Sequence, residues 1–302
     1  MKIITYHYVR PNSRHYPYFN NFSFSNFKKQ LDMMQKKFYF LSKEQFFKNI
    51  LKNSKISGIV LTFDDGLKDH YRYVLPELQR RNLWGIFYIP FNILKFNKIL
   101  PVHKIHILKG RFGSKKILDD ILKFYPQYKD FQLINSFEKE VYKSNKHKVN
   151  DIKLKKLLNF YVKYNNLDNL LQFLFNKYKL NEIKIFNEFY LNNKDIKKIN
   201  SSGNIIGAHT MSHKVLSRLN SADQYYELSE SLRMLKNLKI KKPYLFAYPY
   251  GYRSSYNNTT ITHLKKLGYH SAVIFDNKIS KNIPNKFVIS RIDCINNTLI
   301  NS

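Results

Sequence analysis

One cysteine, Cys294, occurs in 302 residues. An intrachain disulfide is therefore excluded, and Cys294 reads as a small buried residue. Acidic residues are scarce as well, 21 against 52 Lys and Arg, which leaves a net charge of +31. The lysines are scattered along the whole chain among abundant Asn, Ile, Phe and Tyr. That pattern is a background bias, and no recognisable nucleic-acid motif accompanies it, so specific nucleic-acid binding is not expected. A basic surface still favours anionic partners, such as acidic glycans, sugar nucleotides or an anionic membrane surface. No apolar run approaches the roughly 20 residues that span a bilayer. The opening MKIITYHYVR is too soon polar for a secretory apolar region. The expected location is cytoplasmic or peripheral to the inner membrane.

Glycine and proline number only nine each and are unevenly placed. No proline falls between Pro126 and Pro243, and no glycine between Gly113 and Gly203. A stretch without either breaker suits helices. Within it, LKKLLNFYVKYNNLDNLLQFLFNKY spaces its apolar residues by three and four, which predicts two or more amphipathic helices.

Outside that stretch the pattern changes. Short β-branched and aromatic runs recur at Lys2 to Tyr6, Ile59 to Phe63, Trp84 to Ile89, Asn204 to Ala208, Tyr244 to Tyr248, Ser271 to Phe275 and Phe287 to Ile292. Amphipathic segments alternate with several of them, two behind serine caps at Ser25 and Ser42. Apolar residues make up 43% of the chain, enough to build a core around such elements. Strands alternating with helices imply an α/β fold with a mainly parallel sheet or barrel, whose chemistry gathers where strands end. Residues 91–190 read as a mostly helical insertion between core segments 1–90 and 191–302.

Three loops after strands carry unusual residues: TFDDG (Thr62 to Gly66), GAHTMSH (Gly207 to His213) and FAYPYG (Phe246 to Gly251). Adjacent carboxylates at a strand end repel each other and need a reason. His209 and His213 are four apart, a spacing that lets both imidazoles reach one ion. Asp65 offers a third ligand. A His-His-Asp set suits zinc, and also cobalt, nickel, manganese or iron. Asp64 then serves as the base for water attacking a carbonyl beside that divalent ion. A helix cap at Leu67 explains only one of the two aspartates. A magnesium phosphatase of the haloacid-dehalogenase kind needs a first aspartate where Phe63 stands. No P-loop and no Gly-x-Ser-x-Gly elbow occurs.

Together these loops resemble the NodB-homology polysaccharide deacetylases, carbohydrate esterase family four. TFDDG is similar to the family's first motif, HTMSH to its second and FAYPYG to its third, in the same order. The resemblance implies a deformed (β/α) barrel of about seven strands and hydrolysis of an N-acetyl group on an amino sugar or glycan. By position it makes Asp64 the base and Asp65, His209 and His213 the metal ligands. It gives the oxyanion donor to the Tyr250 backbone N–H, and Tyr248 and Pro249 to the groove wall or to packing.

Two departures matter. The third motif carries Ala247 and Tyr248 where many members carry an arginine that orients the base, so Arg291, ending FVISRI, is expected to reach the site from another strand. The late histidine that supplies the acid is missing, since His270 precedes a strand. His7, just after the first strand, resembles the acid of the poly-N-acetylglucosamine deacetylase branch, and an imidazole can protonate an amine near neutral pH. His103 and His106 open the insertion and read as structural or exposed. Two other functions fit the sequence less well: an inactive glycan-binding relative, which has no use for Asp64, and a basic nucleic-acid-binding protein.

Overall fold

The computed structural model describes residues 1–52, 54–131, 149–280 and 283–301. The chain divides into two compact units. The first comprises Met1–Pro11, Asn21–Asn97 and Glu188–Ser302, and the second Asn12–Asn20 and Lys98–Asn187.

The first unit is built on an open, curled sheet of seven strands. These are β1 (Lys2–Tyr6), β4 (Ile59–Phe63), β5 (Gly85–Ile89), β6 (Ile205–Ala208), β7 (Leu245–Ala247), β8 (Ser271–Val273) and β9 (Ile292–Asp293). The short β2 (Val9–Arg10) and β3 (Phe22–Ser23) pair separately. The order in the large sheet is β8-β7-β6-β5-β4-β1-β9, and every neighbouring pair is parallel. This is the mainly parallel sheet that the strand and helix alternation implied, in the deformed (β/α) barrel form that the resemblance implied. The strand runs are buried on both faces, as parallel strands under helices must be.

Period-two alternation sorts the two faces. One face carries Ile3, Val60, Ile86, Tyr88, Leu245, Ala247 and Val273, which join Phe46 and Ile50 in one apolar cluster. The other carries Tyr6, Phe63 and Phe87. Phe63 stacks on Tyr6 at 5.4 Å and on Phe87 at 4.8 Å, and Phe27 of the helix Phe24–Lys37 meets Tyr6 edge-on. That helix is capped by Ser23, two residues before the serine that the sequence pattern favoured. The helix Lys43–Lys52 starts where expected: Gln45 N donates to Ser42 Oγ, and Ser42 N to Gln45 Oε1.

The end of the chain brings the sheet's two edges together. Ile274 N donates to Ile289 O beside β8, while Ile292 pairs with Ile4 of β1. Arg291 lies between these two anchor points. It is carried on the connecting segment and not on the loop after β7.

The second unit is mostly helical over its described residues. It contains the helices Pro101–Phe112, Ser114–Phe124, Val149–Lys156 and Tyr164–Lys177. Leu167, Leu170, Leu171 and Leu174 form the buried stripe of the last one, as their spacing predicts. Among the described residues no helix is long and apolar enough to cross a membrane.

Candidate metal centre

Parallel strands deliver their following loops to one edge of the sheet, and three of these loops converge there. Asp64 and Asp65 follow β4, His209 follows β6, and Tyr248 to Tyr250 follow β7. Asp64 is tied back to β1 by its N–H, which donates to Tyr6 O at 3.0 Å. It lies on the same face as Thr62, whose hydroxyl meets that of Thr5 at 3.0 Å. The next residue must turn away, and Asp65 and Gly66 do so with φ of 78° and 62°. Gly66 is required there: the left-handed φ disfavours other residues, and a Cβ would meet Ile93 Cδ1 at 2.8 Å.

Asp65, His209 and His213 are all buried, and their ligand atoms lie within 4.8 Å of one another. His209 Nε2 is 3.6 Å and His213 Nε2 3.4 Å from Asp65 Oδ1. Two ligands on a tetrahedral ion at about 2.1 Å stand about 3.4 Å apart, so the spacing matches a divalent metal site. The chemistry matches too. His209 Nδ1–H donates to Ala247 O at 2.7 Å, which leaves the Nε2 lone pair facing Asp65. Burial above all holds the His209 pKa down at about 4, so the ring is a neutral ligand at pH 7. Gly207, two residues earlier on β6, lets this strand approach β5. A Cβ there would stand 2.5 Å from Cδ1 of the Tyr88 ring.

Asp64 is not part of that triad. Its carboxylate, 2% exposed, is gripped by the Arg291 guanidinium through two parallel bonds, Nη1 to Oδ1 at 2.8 Å and Nη2 to Oδ2 at 2.7 Å. Arg291 is itself 1% exposed. It also donates to Thr62 Oγ1 at 3.2 Å and Ile274 O at 3.3 Å, and it lies 5.6 Å from the Tyr88 ring centroid. Burial pushes the Asp64 carboxyl upward. Arg291, His209 and His7 outweigh that, and the group sits below the ordinary carboxylate range. His7 Nε2 is 4.0 Å from Asp64 Oδ2, and the His7 side chain is 45% exposed, so it faces solvent and carboxylate at once.

The remaining candidates separate. The Tyr250 ring lies 5.2 Å from that of His213, and Tyr250 has a left-handed φ of 63°. Tyr248 turns into the core, stacked on Tyr256 at 4.1 Å with its hydroxyl donating to Phe287 O at 3.0 Å. Pro249 beside it is buried. His270 is a structural histidine that accepts from Tyr244 N at 3.2 Å. His103 and His106 belong to the second unit, with ring centroids 6.1 Å apart. Cys294 is buried.

Three further residues support the site and carry little sequence signal. Asp69 lies in the first helical turn after TFDDG. It caps nothing: its carboxylate is buried and accepts from Arg10 Nε at 2.7 Å. His70, fully buried, donates Nε2–H to the carbonyl of His7 at 2.9 Å. Adjacent residues thus hold both ends of the tetrapeptide His7 to Arg10. Glu227, on the helix Ser221–Asn237, accepts from the N–H groups of Met211 and Ser212 at 2.8 and 2.9 Å. Its one hint in the sequence is a polar residue on the inward stripe of an amphipathic helix.

The family model described as Polysaccharide deacetylase matches residues 162–272, which include both histidines and the third loop but not TFDDG. No curated protein matches the chain. Among solved structures the chain is similar to the deacetylase PplD of Streptococcus pyogenes, solved with acetate. Identity is 18%, 97% of this chain and 91% of that one are covered, and the TM-score is 0.59. It is also similar to IcaB of Ammonifex degensii, with 17% identity, 99% and 93% coverage and a TM-score of 0.56. A de-N-acetylase of Aggregatibacter actinomycetemcomitans follows at 16% identity, 96% and 93% coverage and a TM-score of 0.56. At these identities the likeness is one of fold.

Proposed function

We propose that the chain is a metal-dependent N-deacetylase of the polysaccharide deacetylase family. In this reading it hydrolyses N-acetyl groups on an amino sugar of a polysaccharide or its precursor. The carrying observation is Asp64: a buried carboxylate, paired with Arg291, beside a three-residue metal set that it does not join. A glycan-binding protein needs no such group. His7 near Asp64 supports the poly-N-acetylglucosamine deacetylase branch. The net charge of +31 supports an anionic substrate or the cytoplasmic face of an anionic membrane as its working place.

Asp65, His209 and His213 are the proposed ligands, with zinc the proposed ion. Held by these three residues, a divalent ion would supply Lewis acidity toward the acetyl carbonyl and the attacking water. Asp64 takes the proton from the water that attacks the acetyl carbon. Arg291 keeps that base ionised and fixes its plane through the two-pronged contact. The Tyr250 N–H donates to the carbonyl oxygen as negative charge gathers on it. His7 then gives a proton to the leaving nitrogen, the C–N bond breaks, and acetate and a free amine separate.

Acetate release from N-acetylglucosamine oligomers tests the proposal. The parent should bind about one divalent ion per chain, as a three-ligand site implies. Asp64→Asn should retain the ion and lose acetate release, and His213→Ala should lose both. A metal-free active parent, or an Asp64→Asn variant as active as the parent, would refute it.

A further inference from the structure

The turn that carries His209 and His213 has almost no ladder of its own. Past β6 its backbone bonds must be found elsewhere, and they can be counted. His209 N–H donates to Ile89 O at 2.9 Å. The Thr210 and Met211 carbonyls accept from Phe91 N–H and Asn92 N–H at 3.0 and 2.8 Å. His213 N–H donates to Thr210 Oγ1 at 2.9 Å. Of the three other amides, those of Met211 and Ser212 both go to Glu227 Oε2, and the Ser212 hydroxyl goes to Glu227 Oε1. One carboxylate therefore satisfies the middle of the turn, between the two histidines.

Glu227 is placed for this task. It is 5% exposed and sits on the inward stripe of its helix with Gln224, Leu228, Ser231 and Leu235. A carboxylate in that position is costly unless donors meet it, and three donors from one turn do. The turn also holds two residues in the left-handed region, Thr210 at φ 65° and His213 at φ 58°. Such backbone persists only where its surroundings over-determine it.

We infer that Glu227 is a positioning residue for the metal centre, which sets the affinity of the two-histidine turn for a divalent ion without touching that ion. The inference rests on the metal reading of Asp65, His209 and His213. Without Glu227 the Met211 and Ser212 amides and the Ser212 hydroxyl lose their acceptor. The turn then samples other conformations, and the two imidazoles are no longer presented together.

The test is a titration of metal-free protein with Zn²⁺ in competition with a chromophoric chelator. Glu227→Ala should bind zinc 10–100-fold more weakly than the parent, the usual cost of losing an outer partner of metal ligands. Glu227→Gln, which keeps an acceptor oxygen, should recover part of the loss. Leu228→Ala controls for general destabilisation, because it removes a buried side chain of the same helix and none of the turn's hydrogen-bond acceptors. Its folded fraction should bind zinc like the parent. Parent-like affinity in Glu227→Ala, or an equal loss in Leu228→Ala, overturns the inference. Amide exchange in the metal-free protein separates it from the metal reading. If the parent binds no zinc, that reading fails on its own. Glu227→Ala should still speed exchange at Met211 and Ser212 more than tenfold relative to the rest of the helix, and unchanged exchange there overturns the inference.

Discussion

Replacing Arg291 by methionine gives the sharpest test of how the barrel interior is held. The substitution keeps an apolar stem of similar reach and removes every donor. Asp64 loses the bonds at 2.8 and 2.7 Å, and Thr62 Oγ1 and Ile274 O lose one donor each. The carboxylate left behind is 2% exposed, so water replaces the lost donors only in part. Removing one partner of a buried pair costs about 3–5 kcal/mol, because an uncompensated charge remains. Burial already pushes the Asp64 carboxyl upward, so losing Arg291 should raise its pKa above the ordinary value. The acid limb of the pH–activity curve should then move to higher pH. Urea unfolding in the presence of a chelator measures the stability term without metal linkage. Asp64→Asn combined with Arg291→Met removes both charges and should recover most of the loss, since replacing a whole buried pair is often close to neutral. A single variant within about 0.5 kcal/mol of the parent would refute the reasoning, that being the range of an ordinary surface substitution. So would a double variant that merely adds the two single losses.

Other outcomes follow from the same contacts. Burial lowers the His70 pKa to about 4. Between pH 6.5 and 4 the unfolded chain therefore binds the extra proton, and stability should fall with falling pH by up to about 1.4 kcal/mol per unit. His70→Phe should flatten that slope in urea titrations at several pH values, and an unchanged slope would assign it to other groups. The same variant frees the His7 carbonyl, so turnover of the parent substrate should drop with metal content unchanged. Gly207→Ala drives a methyl into the Tyr88 ring and should cost about 1–3 kcal/mol by thermal or urea unfolding, as over-packing does. A parent-like midpoint would mean that the strand can shift.

Six of the strands and three of the loops were legible because both are local signals, while of the run Phe287 to Ile292 only Ile292 lies in β9. A β-branched and aromatic run marks a strand without reference to its neighbours, and TFDDG and HTMSH keep their chemistry within five residues. What joins those pieces is not local. Arg291 meets Asp64 across 227 positions of chain, and only the closing segment between β8 and β9 explains how it arrives. Glu227 looked like one more polar residue on an amphipathic helix. Its meaning depends on which turn packs over it. Asp69 shows the same limit: it stands in the first turn of a helix, while its partner, Arg10, lies 59 residues away. Tyr248 shows the reverse case. A motif places its backbone at the site, but the alternation of β7 sends its ring inward.

Four of the residues gathered at this edge, Asp65, Thr210, His213 and Tyr250, hold a left-handed backbone without being glycine. Each such residue costs of order 1 kcal/mol or more, so the metal-free barrel carries a standing debt concentrated in three loops. An ion bound by Asp65, His209 and His213 stabilises only the folded chain, by about 2.7 kcal/mol at a hundred times its dissociation constant. Melting temperature thus becomes a gauge of loading. The protein would be most vulnerable to proteolysis just after synthesis, before its ion arrives, and cellular metal supply would govern its abundance as well as its turnover.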